Sequence, residues 1–294
     1  MDGVIICTAH ACHADMGAKF LAAGKHVLME KPMTVDVAEA RQLATAAAAA
    51  SPQLAFMVNN TANFRDNCFD ARRLVEAGEL GEINHVLCVM YSPLMFLFDD
   101  PANTGWVQPT GSMVQPDGSG NGFGWGQLSH VLAWVLHVGG LDVDEVTAMT
   151  HRSDKSGADL MDAALIKCNG RGGKGAPSSI SLSGGCGWPG NEHGDEATGK
   201  HFDIKIFGSK GVLMYGGDDK NPKSGRLELR KHDGSASYIA DGFLMENTEQ
   251  EGTGKHLCFS SLDCALVLAT HLCARAAVLF IFTSLTLDPS QPLQ

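Results

Sequence analysis

The sequence predicts an α/β fold in which a partial doubly wound, Rossmann-like parallel sheet is followed by an α+β domain with a large, mostly antiparallel sheet. Short apolar runs alternate with helical patterns up to about residue 60, and a succession of strands follows one apolar helix after that. The length of 294 residues exceeds what one ordinary core usually holds. We therefore expect two domains, residues 1–60 and residues 61–294.

The first domain reads as strand, helix, strand, helix, strand. The strands are predicted over Gly3–Thr8, His26–Met29 and Leu54–Val58, and the first helix over Ala14–Ala23 with Gly24 as its stop. Thr34 is expected to cap a second helix, which carries Asp36 in its first turn and ends before Pro52. Short connections between alternating elements predict a parallel sheet with right-handed crossovers.

This pattern is typical of the second half of a dinucleotide-binding domain. A complete domain has an earlier half, with a G-x-G-x-x-G turn after its first strand and an acidic residue about 20 positions later. Here the first strand begins at Gly3. We therefore expect the chain to be N-terminally truncated relative to a complete domain, without the first half of the nucleotide site.

The second domain is predicted from its strands. A helix over Asp66–Ala77, a strand over Ile83–Tyr91 and an apolar helix over Gln127–Val138 come first. Six further strands are predicted at Val146–Arg152, Ala163–Cys168, Ser179–Leu182, Phe202–Phe207, Gly211–Tyr215 and Arg226–Lys231. Strands in succession favour antiparallel pairing, with the helices packed on one face of the sheet.

Composition narrows the function classes. The net charge of −11 and a pI near 5.5 argue against a nucleic-acid groove or an anionic membrane surface as partner. Nine scattered cysteines without a C-x-x-C pair indicate reduced thiols and a cytoplasmic location. His10 and His13 flank Cys12, but no second pair follows at ligand spacing, so no metal site is predicted.

The segment 262–287 is apolar and long enough to cross a bilayer. Arg275 lies near its middle, where insertion of a charge costs about 2.5 to 3.5 kcal/mol. We therefore expect a packed C-terminal helix rather than a membrane span.

The segment GKHVLMEKP, residues 24–32, points to chemistry. It places Glu30, Lys31 and Pro32 just beyond the carboxyl end of a buried parallel strand, where open α/β sheets bind ligands. An ammonium group there could polarise a hydroxyl or carbonyl and transfer a proton during hydride transfer. The alternative interpretation is an ordinary loop lysine in water.

The run from Asp2 to Leu43 resembles the middle of the glucose-fructose oxidoreductase, inositol dehydrogenase and rhizopine catabolism (Gfo/Idh/MocA) family, for which AGKHVLxEKP is a marker. Residues 200–219 resemble the second-domain sheet of that family. The resemblance implies an NAD- or NADP-dependent oxidoreductase acting on a secondary alcohol of a sugar, inositol or related polyol. It also implies a homodimer or dimer-based oligomer formed through the open sheet, and a cis Lys31–Pro32 bond.

The resemblance further assigns residues to the cofactor side. Lys31 would be catalytic and Glu30 would line the cofactor site. In the loop after the first strand, Thr8 and His13 match the family pattern, whereas Ala9 and His10 replace its proline and asparagine. The expected cofactor contacts are Thr8, His10, His13, Glu30, Lys31 and Asn59. His13 could instead be an ordinary residue at the start of a helix.

A second motif, GWGQLSHVLAW, supplies the substrate side. In the family, a histidine on the corresponding helix contacts the substrate, and an aspartate commonly precedes it by four residues. Here His130 matches the histidine, while Gly126 and Gln127 stand at and beside the place of the aspartate. We expect Trp125, Gln127 and His130 to contact substrate, with His130 catalytic alongside Lys31. A histidine in an apolar helix could also be packed rather than catalytic.

The glycine-rich loop from Gly118 to Gly126 lacks the G-x-x-x-x-G-K-[ST] pattern of a phosphate loop, so we interpret it as a substrate-side loop. A non-catalytic family member that serves as a ligand-binding or dimerisation module remains the alternative function.

Overall fold

The computed structural model describes residues 1–102, 122–190, 198–243 and 245. Within these ranges it confirms the predicted fold class, because it contains a three-stranded parallel sheet and an eight-stranded, mostly antiparallel sheet. The predicted C-terminal helix at 262–287 and residues 118–121 of the glycine-rich loop lie outside the described residues.

The small sheet consists of β1 (Gly3–Ile6), β2 (His26–Glu30) and β3 (Phe56–Asn59), in that order and all parallel. Helices α1 (His13–Ala22) and α2 (Val37–Ala50) pack against each other and cover one face. A Cβ atom added at Gly17 of α1 would lie 2.7 Å from Met29 Cε, so the glycine lets α1 approach the sheet closely. The three strands end at one common edge.

The cap of α2 differs from the prediction. Asp36, not Thr34, is the N-cap: its Oδ1 accepts hydrogen bonds from the backbone N–H groups of Ala38 at 2.7 Å and Glu39 at 3.0 Å. Thr34 lies two residues too early and donates its hydroxyl to the Asp36 carbonyl oxygen at 3.0 Å. The extended backbone of Asp36 directs its carboxylate at the free N–H groups of the first turn, which explains the difference.

The large sheet has the order β11-β10-β9-β8-β4-β7-β6-β5. Its strands are β4 (Ile83–Tyr91), β5 (Leu141–Arg152), β6 (Asp159–Gly170), β7 (Lys174–Gly185), β8 (His201–Gly208), β9 (Gly211–Asp218), β10 (Arg226–Lys231) and β11 (Ala236–Asp241). Within this described sheet, β4 and β7 form the one parallel pair. The edge strand β11 was not predicted, and β5, β6 and β7 extend beyond their predicted ends.

Helices α3 (Asp66–Glu76) and α5 (Ser129–Gly139) pack together over one face of the large sheet, and the short α4 (Met95–Phe98) lies after β4. Helix α5 ends at Gly140, whose φ of 59° is left-handed. Immediately before α5, residues Gly124–Leu128 form a π-helical turn, a feature frequent at functional sites. In the parts of the chain that the structure describes, no helix is long and apolar enough to cross a membrane.

Buried apolar side chains form two clusters, one under each sheet. The cluster of the small sheet includes Trp125, which comes from the turn before α5. The start of α5 is therefore anchored in the core of the small sheet. The division at residues 60 and 61 itself stays a prediction.

Candidate active site

The site lies where the carboxyl edge of the small sheet meets the turn before α5. Lys31 follows β2, and its Nζ donates a hydrogen bond to the carbonyl oxygen of Gly126 at 2.9 Å. The two residues are 95 positions apart in sequence. The two sequence motifs are thus joined by one direct contact.

Lys31 is also fixed through its own backbone. Glu30 Oε2 accepts a hydrogen bond from the Lys31 backbone N–H at 3.0 Å, and the Lys31–Pro32 peptide bond is cis, as the resemblance implied. Lys31 and Glu30 are both half-buried. The Lys31 amine is therefore held against the turn before α5 rather than in bulk water, where the alternative interpretation would leave it.

His13 lies at the start of α1 and is fully buried. Its Nδ1 is 2.7 Å from the Pro32 carbonyl oxygen, and its Nε2 is 3.1 Å from the Thr8 carbonyl oxygen. Both partners are acceptors, so a neutral imidazole donates to one of them and a doubly protonated ring donates to both. His13 thereby ties the loop after β1 to the loop that carries Lys31.

His10 lies beside this histidine, with their ring centroids 5.7 Å apart in an edge-to-face arrangement. Burial first, and then the positive charges of Lys31 and His13, together lower the pKa of His10 to about 4. His10 is consequently neutral near pH 7. The site therefore concentrates positive charge on Lys31 rather than on His10.

The remaining cofactor-side candidates line the same edge. Asn59 ends β3 directly opposite Glu30 in the sheet register. Thr8 is exposed in the loop after β1, and its hydroxyl approaches Met16 Sδ at 3.5 Å. The carboxyl edge thus presents a hydroxyl, a carboxylate, an amide and an ammonium group.

The substrate-side candidates come from the turn before α5 and its first residues. Trp125, Gln127 and His130 are each at most 5% exposed. Within the described ranges, Gln127 Oε1 is buried and has no hydrogen-bond partner. An unpaired buried carbonyl oxygen beside Gly126 is available to accept a hydrogen bond from a bound molecule.

Sequence reasoning missed two features of this site. The first is the carbonyl oxygen of Gly126, which accepts the hydrogen bond from Lys31 Nζ. A backbone atom of this kind leaves no signal in sequence. The second is Asp159 at the start of β6, whose Oδ2 accepts the Gly124 N–H at 2.6 Å. Two aspartates at buried positions of a strand, Asp159 and Asp162, could have drawn attention to it.

Among the residues that the structure describes, no group of three or more His, Cys, Asp or Glu side chains could hold a metal ion.

Comparison with protein families decides the kinship. The family model described as "Oxidoreductase family, NAD-binding Rossmann fold" matches residues 1–59, and the model of the GFO/IDH/MocA C-terminal domain matches residues 70–214. The chain belongs to the Gfo/Idh/MocA oxidoreductase family. This Gfo/Idh/MocA chain has its Lys31 in the first matched region and Gly126 with His130 in the second.

Among curated proteins, the chain is 39% identical over 84 residues to the uncharacterized oxidoreductase YhhX of Escherichia coli K12, which covers 28% of this chain and 24% of that protein. It is 29% identical over 93 residues to the inositol 2-dehydrogenase of Rhizobium meliloti 1021, covering 32% of this chain and 28% of that protein. The matches thus span about a quarter of the length of these relatives.

Solved structures agree on the fold. An oxidoreductase domain protein from Kribbella flavida superimposes with a TM-score of 0.63 at 21% identity, covering 95% of this chain and 72% of that chain. An oxidoreductase from Agrobacterium radiobacter, solved in complex with NAD+, L-tartaric acid and magnesium, gives a TM-score of 0.57 at 15% identity, with 97% and 72% coverage. At these identities the likeness concerns the fold alone.

Proposed function

We propose that this family member is an NAD- or NADP-dependent oxidoreductase that acts on a secondary alcohol of a sugar, inositol or related polyol. The observation that carries the proposal is the 2.9 Å hydrogen bond from Lys31 Nζ to the Gly126 carbonyl oxygen. This hydrogen bond joins the lysine of the family motif to the turn that leads into α5, the helix that carries His130. The kinship with an inositol 2-dehydrogenase supports the substrate class.

The chemistry of the carboxyl edge fits the nicotinamide and ribose end of such a cofactor. The Asn59 amide and the Thr8 hydroxyl both donate and accept hydrogen bonds, and the Glu30 carboxylate accepts them from ribose hydroxyls. His10 and His13 complete the proposed cofactor side. When bound, the cofactor supplies the hydride acceptor.

Lys31 is proposed to handle the proton. In the direction of reduction, the Lys31 ammonium donates a proton to the carbonyl oxygen as the substrate carbon gains its hydride. In the direction of oxidation, the ammonium first loses a proton to solvent, and the free amine then accepts the hydroxyl proton as the carbon loses its hydride and a ketone is left. The Gly126 carbonyl oxygen accepts a hydrogen bond from Lys31 Nζ and thereby orients the amine. Neutral His10 adds no second positive charge beside Lys31 at pH 7.

His130 is proposed to contact the reacting hydroxyl from the helix side. Gln127 has a buried, unpaired Oε1 within the described ranges, which suits a second substrate hydroxyl. Trp125 supplies an apolar wall that also belongs to the core of the small sheet. Polyols offer both hydroxyl groups and C–H faces, so this combination matches their surface.

The proposed setting is cytoplasmic, with a small-molecule substrate and a homodimer formed through the open face of the large sheet. That face carries Met149, Met161 and Leu165, which are 78%, 43% and 57% exposed. Large apolar side chains on one uncovered face are typical of a protein interface.

The test is a screen of sugars, inositols and linear polyols with NAD+ and NADP+, following reduction of the cofactor by absorbance. We expect at least one polyol to be oxidised, with kcat about 100-fold or more lower in Lys31→Met because proton transfer is lost. Lys19→Met, at an exposed position paired with Asp15, is the matched control. Full activity in Lys31→Met would contradict the assigned role, and no turnover by the wild type would favour the non-catalytic alternative.

A further inference from the structure

We propose that Asp159 and Asp162 act as one carboxyl pair that shares a single proton and positions the Gly124–Leu128 turn against Lys31. Asp159 was described above as the acceptor for the Gly124 N–H, but neither carboxyl group is among the residues proposed to contact cofactor or substrate. Its positioning role rests on the proposed function, whereas its shared proton does not.

The two carboxyl groups lie at the start of β6 and are almost completely buried, with exposures of 1% for Asp159 and 4% for Asp162. Asp159 Oδ2 accepts the backbone N–H of Gly124 at 2.6 Å. Asp162 Oδ1 accepts the hydroxyl of Thr150 at 2.8 Å. The other oxygen of each group, Asp159 Oδ1 and Asp162 Oδ2, is buried without a partner in the described part of the chain.

The glycines before α5 lie directly on these carboxyl groups. A Cβ atom added at Gly124 would be 3.1 Å from Asp162 Oδ2 and 3.3 Å from Asp159 Oδ2. A Cβ atom added at Gly122 would be 1.7 Å from Asp159 Oδ1. Oxygens of both carboxyl groups therefore face the same point of the backbone, and only glycine leaves room for them.

Two buried carboxylates at such close range cannot both be ionised without a large repulsion. One proton placed between them removes the repulsion and gives the unpaired oxygens a donor. The charges around the pair decide where this proton resides. Burial and, second, the charge of Asp159 raise the pKa of Asp162 well above its ordinary range, while Thr150 and Arg152 oppose the shift.

Among the other titratable groups near the pair, Arg152 supplies a positive charge that opposes the shift without reversing it. The Cys186 thiol is neutral, because burial raises its pKa to about 12. Asp99 is ionised, because hydrogen bonds from Lys155 and Ser153 lower its pKa. We therefore assign the shared proton to Asp162, while Asp159 Oδ2 faces the N–H at the start of the helical segment that continues into α5.

Asp159 acts on the site indirectly, through the two-residue backbone segment that separates Gly124 from Gly126. It fixes Gly124, and Gly126 in the same turn presents the carbonyl oxygen that accepts from Lys31. The pair touches neither substrate nor cofactor, so it is a positioning device and not a catalytic group. Loss of the Asp159 acceptor should release the turn and misplace the Lys31 amine.

Infrared difference spectroscopy tests the shared proton on the intact chain. We expect the wild type to show the C=O stretch of a buried carboxylic acid near neutral pH, and Asp162→Asn to lack it. Asn is nearly the same size and can donate an amide N–H to Asp159, so this variant should fold. Asp144→Asn removes an exposed carboxylate paired with Lys167 and should leave the band unchanged. Absence of the band from the wild type would overturn the proposal.

Fluorine NMR tests the positioning. In a chain labelled with fluorotryptophan, the Trp125 resonance is assigned through Trp125→Phe. Asp159→Ala should shift it, whereas Asp159→Asn, which keeps an acceptor for the Gly124 N–H, and Asp162→Asn should hold it near the wild-type position. An unchanged Trp125 resonance in Asp159→Ala would overturn the role. If Asp159→Ala does not fold, Asp159→Leu, which is close in size to Asp and offers no acceptor to the Gly124 N–H, takes its place in the same measurement.

Kinetics separate the pair from the proposed function. If the wild type turns over a polyol, Asp159→Ala should lower kcat about 10-fold or more with little change in KM, and Asp159→Asn should restore most of it. Equal kcat in Asp159→Ala and the wild type would contradict positioning. If the wild type has no activity while the infrared band and the Trp125 shift are found, the proposed function fails and the pair stands.

Discussion

His10 lies beside His13 and within the electrostatic reach of Lys31, and its surroundings leave it neutral near pH 7. The structure gives it a pKa of about 4, compared with 6.5 in an unfolded chain. Between these two values the unfolded chain binds a proton that the folded chain does not, so the free energy of unfolding falls as the pH falls from 6.5 to 4. Below the lower value the contribution is fully lost.

His10→Gln should remove this part of the pH dependence. The difference between the two pKa values corresponds to at most about 3 kcal/mol. Urea unfolding of the wild type and the variant, measured across this pH range, checks the expectation. His151→Gln, at an exposed position, should keep the wild-type slope. If the free energy of unfolding falls by the same amount in His10→Gln and in the wild type as the pH is lowered through this range, the buried environment assigned to His10 is contradicted.

At the same scale, the sequence located part of the site and missed the rest for a physical reason. Lys31 and Glu30 could be placed at the end of the strand because the apolar run of β2 and the EKP motif can both be recognised in the amino-acid sequence. The partner of Lys31 could not, because the Gly126 carbonyl oxygen is a backbone atom positioned by tertiary contacts. The burial of Asp159 likewise depends on packing across 35 residues of sequence.

At the scale of elements, α2 depends on its cap. Asp36 accepts from two N–H groups in the first turn, and α2 follows directly after the loop with Lys31. Asp36→Ala should lower the free energy of unfolding by about 1 kcal/mol, because both N–H groups lose this acceptor. Asp36→Ser retains an oxygen acceptor and should lose less. Unfolding midpoints in urea measure the difference, and equal stability of Asp36→Ala and the wild type would contradict the cap.

The elements also show which sequence signals suffice. The strands and helices of the small sheet were predicted because each is a continuous apolar run or a clear helical stripe. Strand β7 was predicted only over Ser179–Leu182, since serine and glycine at its ends resemble a loop, whereas pairing with β4 and β6 extends it to Lys174–Gly185. The edge strand β11 is largely exposed and has no apolar alternation to reveal it.

At the scale of the whole molecule, and among the residues that the structure describes, the face of the large sheet opposite α3 and α5 carries exposed apolar side chains, which packing within one chain does not explain. Leu165 lies on this face in register with Thr147 and Ser181, and it is 57% exposed. A homodimer through this face would bury such side chains. Because Leu165 contributes little to the core of one chain, a charge there should disturb assembly rather than folding.

Leu165→Asp should therefore shift the chain from dimer toward monomer in sedimentation equilibrium, by at least about 10-fold in dissociation constant, since a buried unpaired charge is costly at an interface. Phe69→Asp, an exposed aromatic residue on α3, is the matched control and should leave the assembly unchanged. A wild type that is monomeric at all concentrations, or equal dissociation constants for Leu165→Asp and the wild type, would contradict this interface.

We expect the region between Lys31 and the start of α5 to bind a nicotinamide cofactor. Titration of NADH and NADPH into the purified 294-residue chain, followed by nicotinamide fluorescence with Lys31→Ala in parallel, measures this binding. We predict saturable binding of at least one cofactor in the micromolar range, about −8 kcal/mol, and weaker binding to Lys31→Ala. Absence of saturable binding to the wild type would contradict the claim that this chain is itself a dehydrogenase.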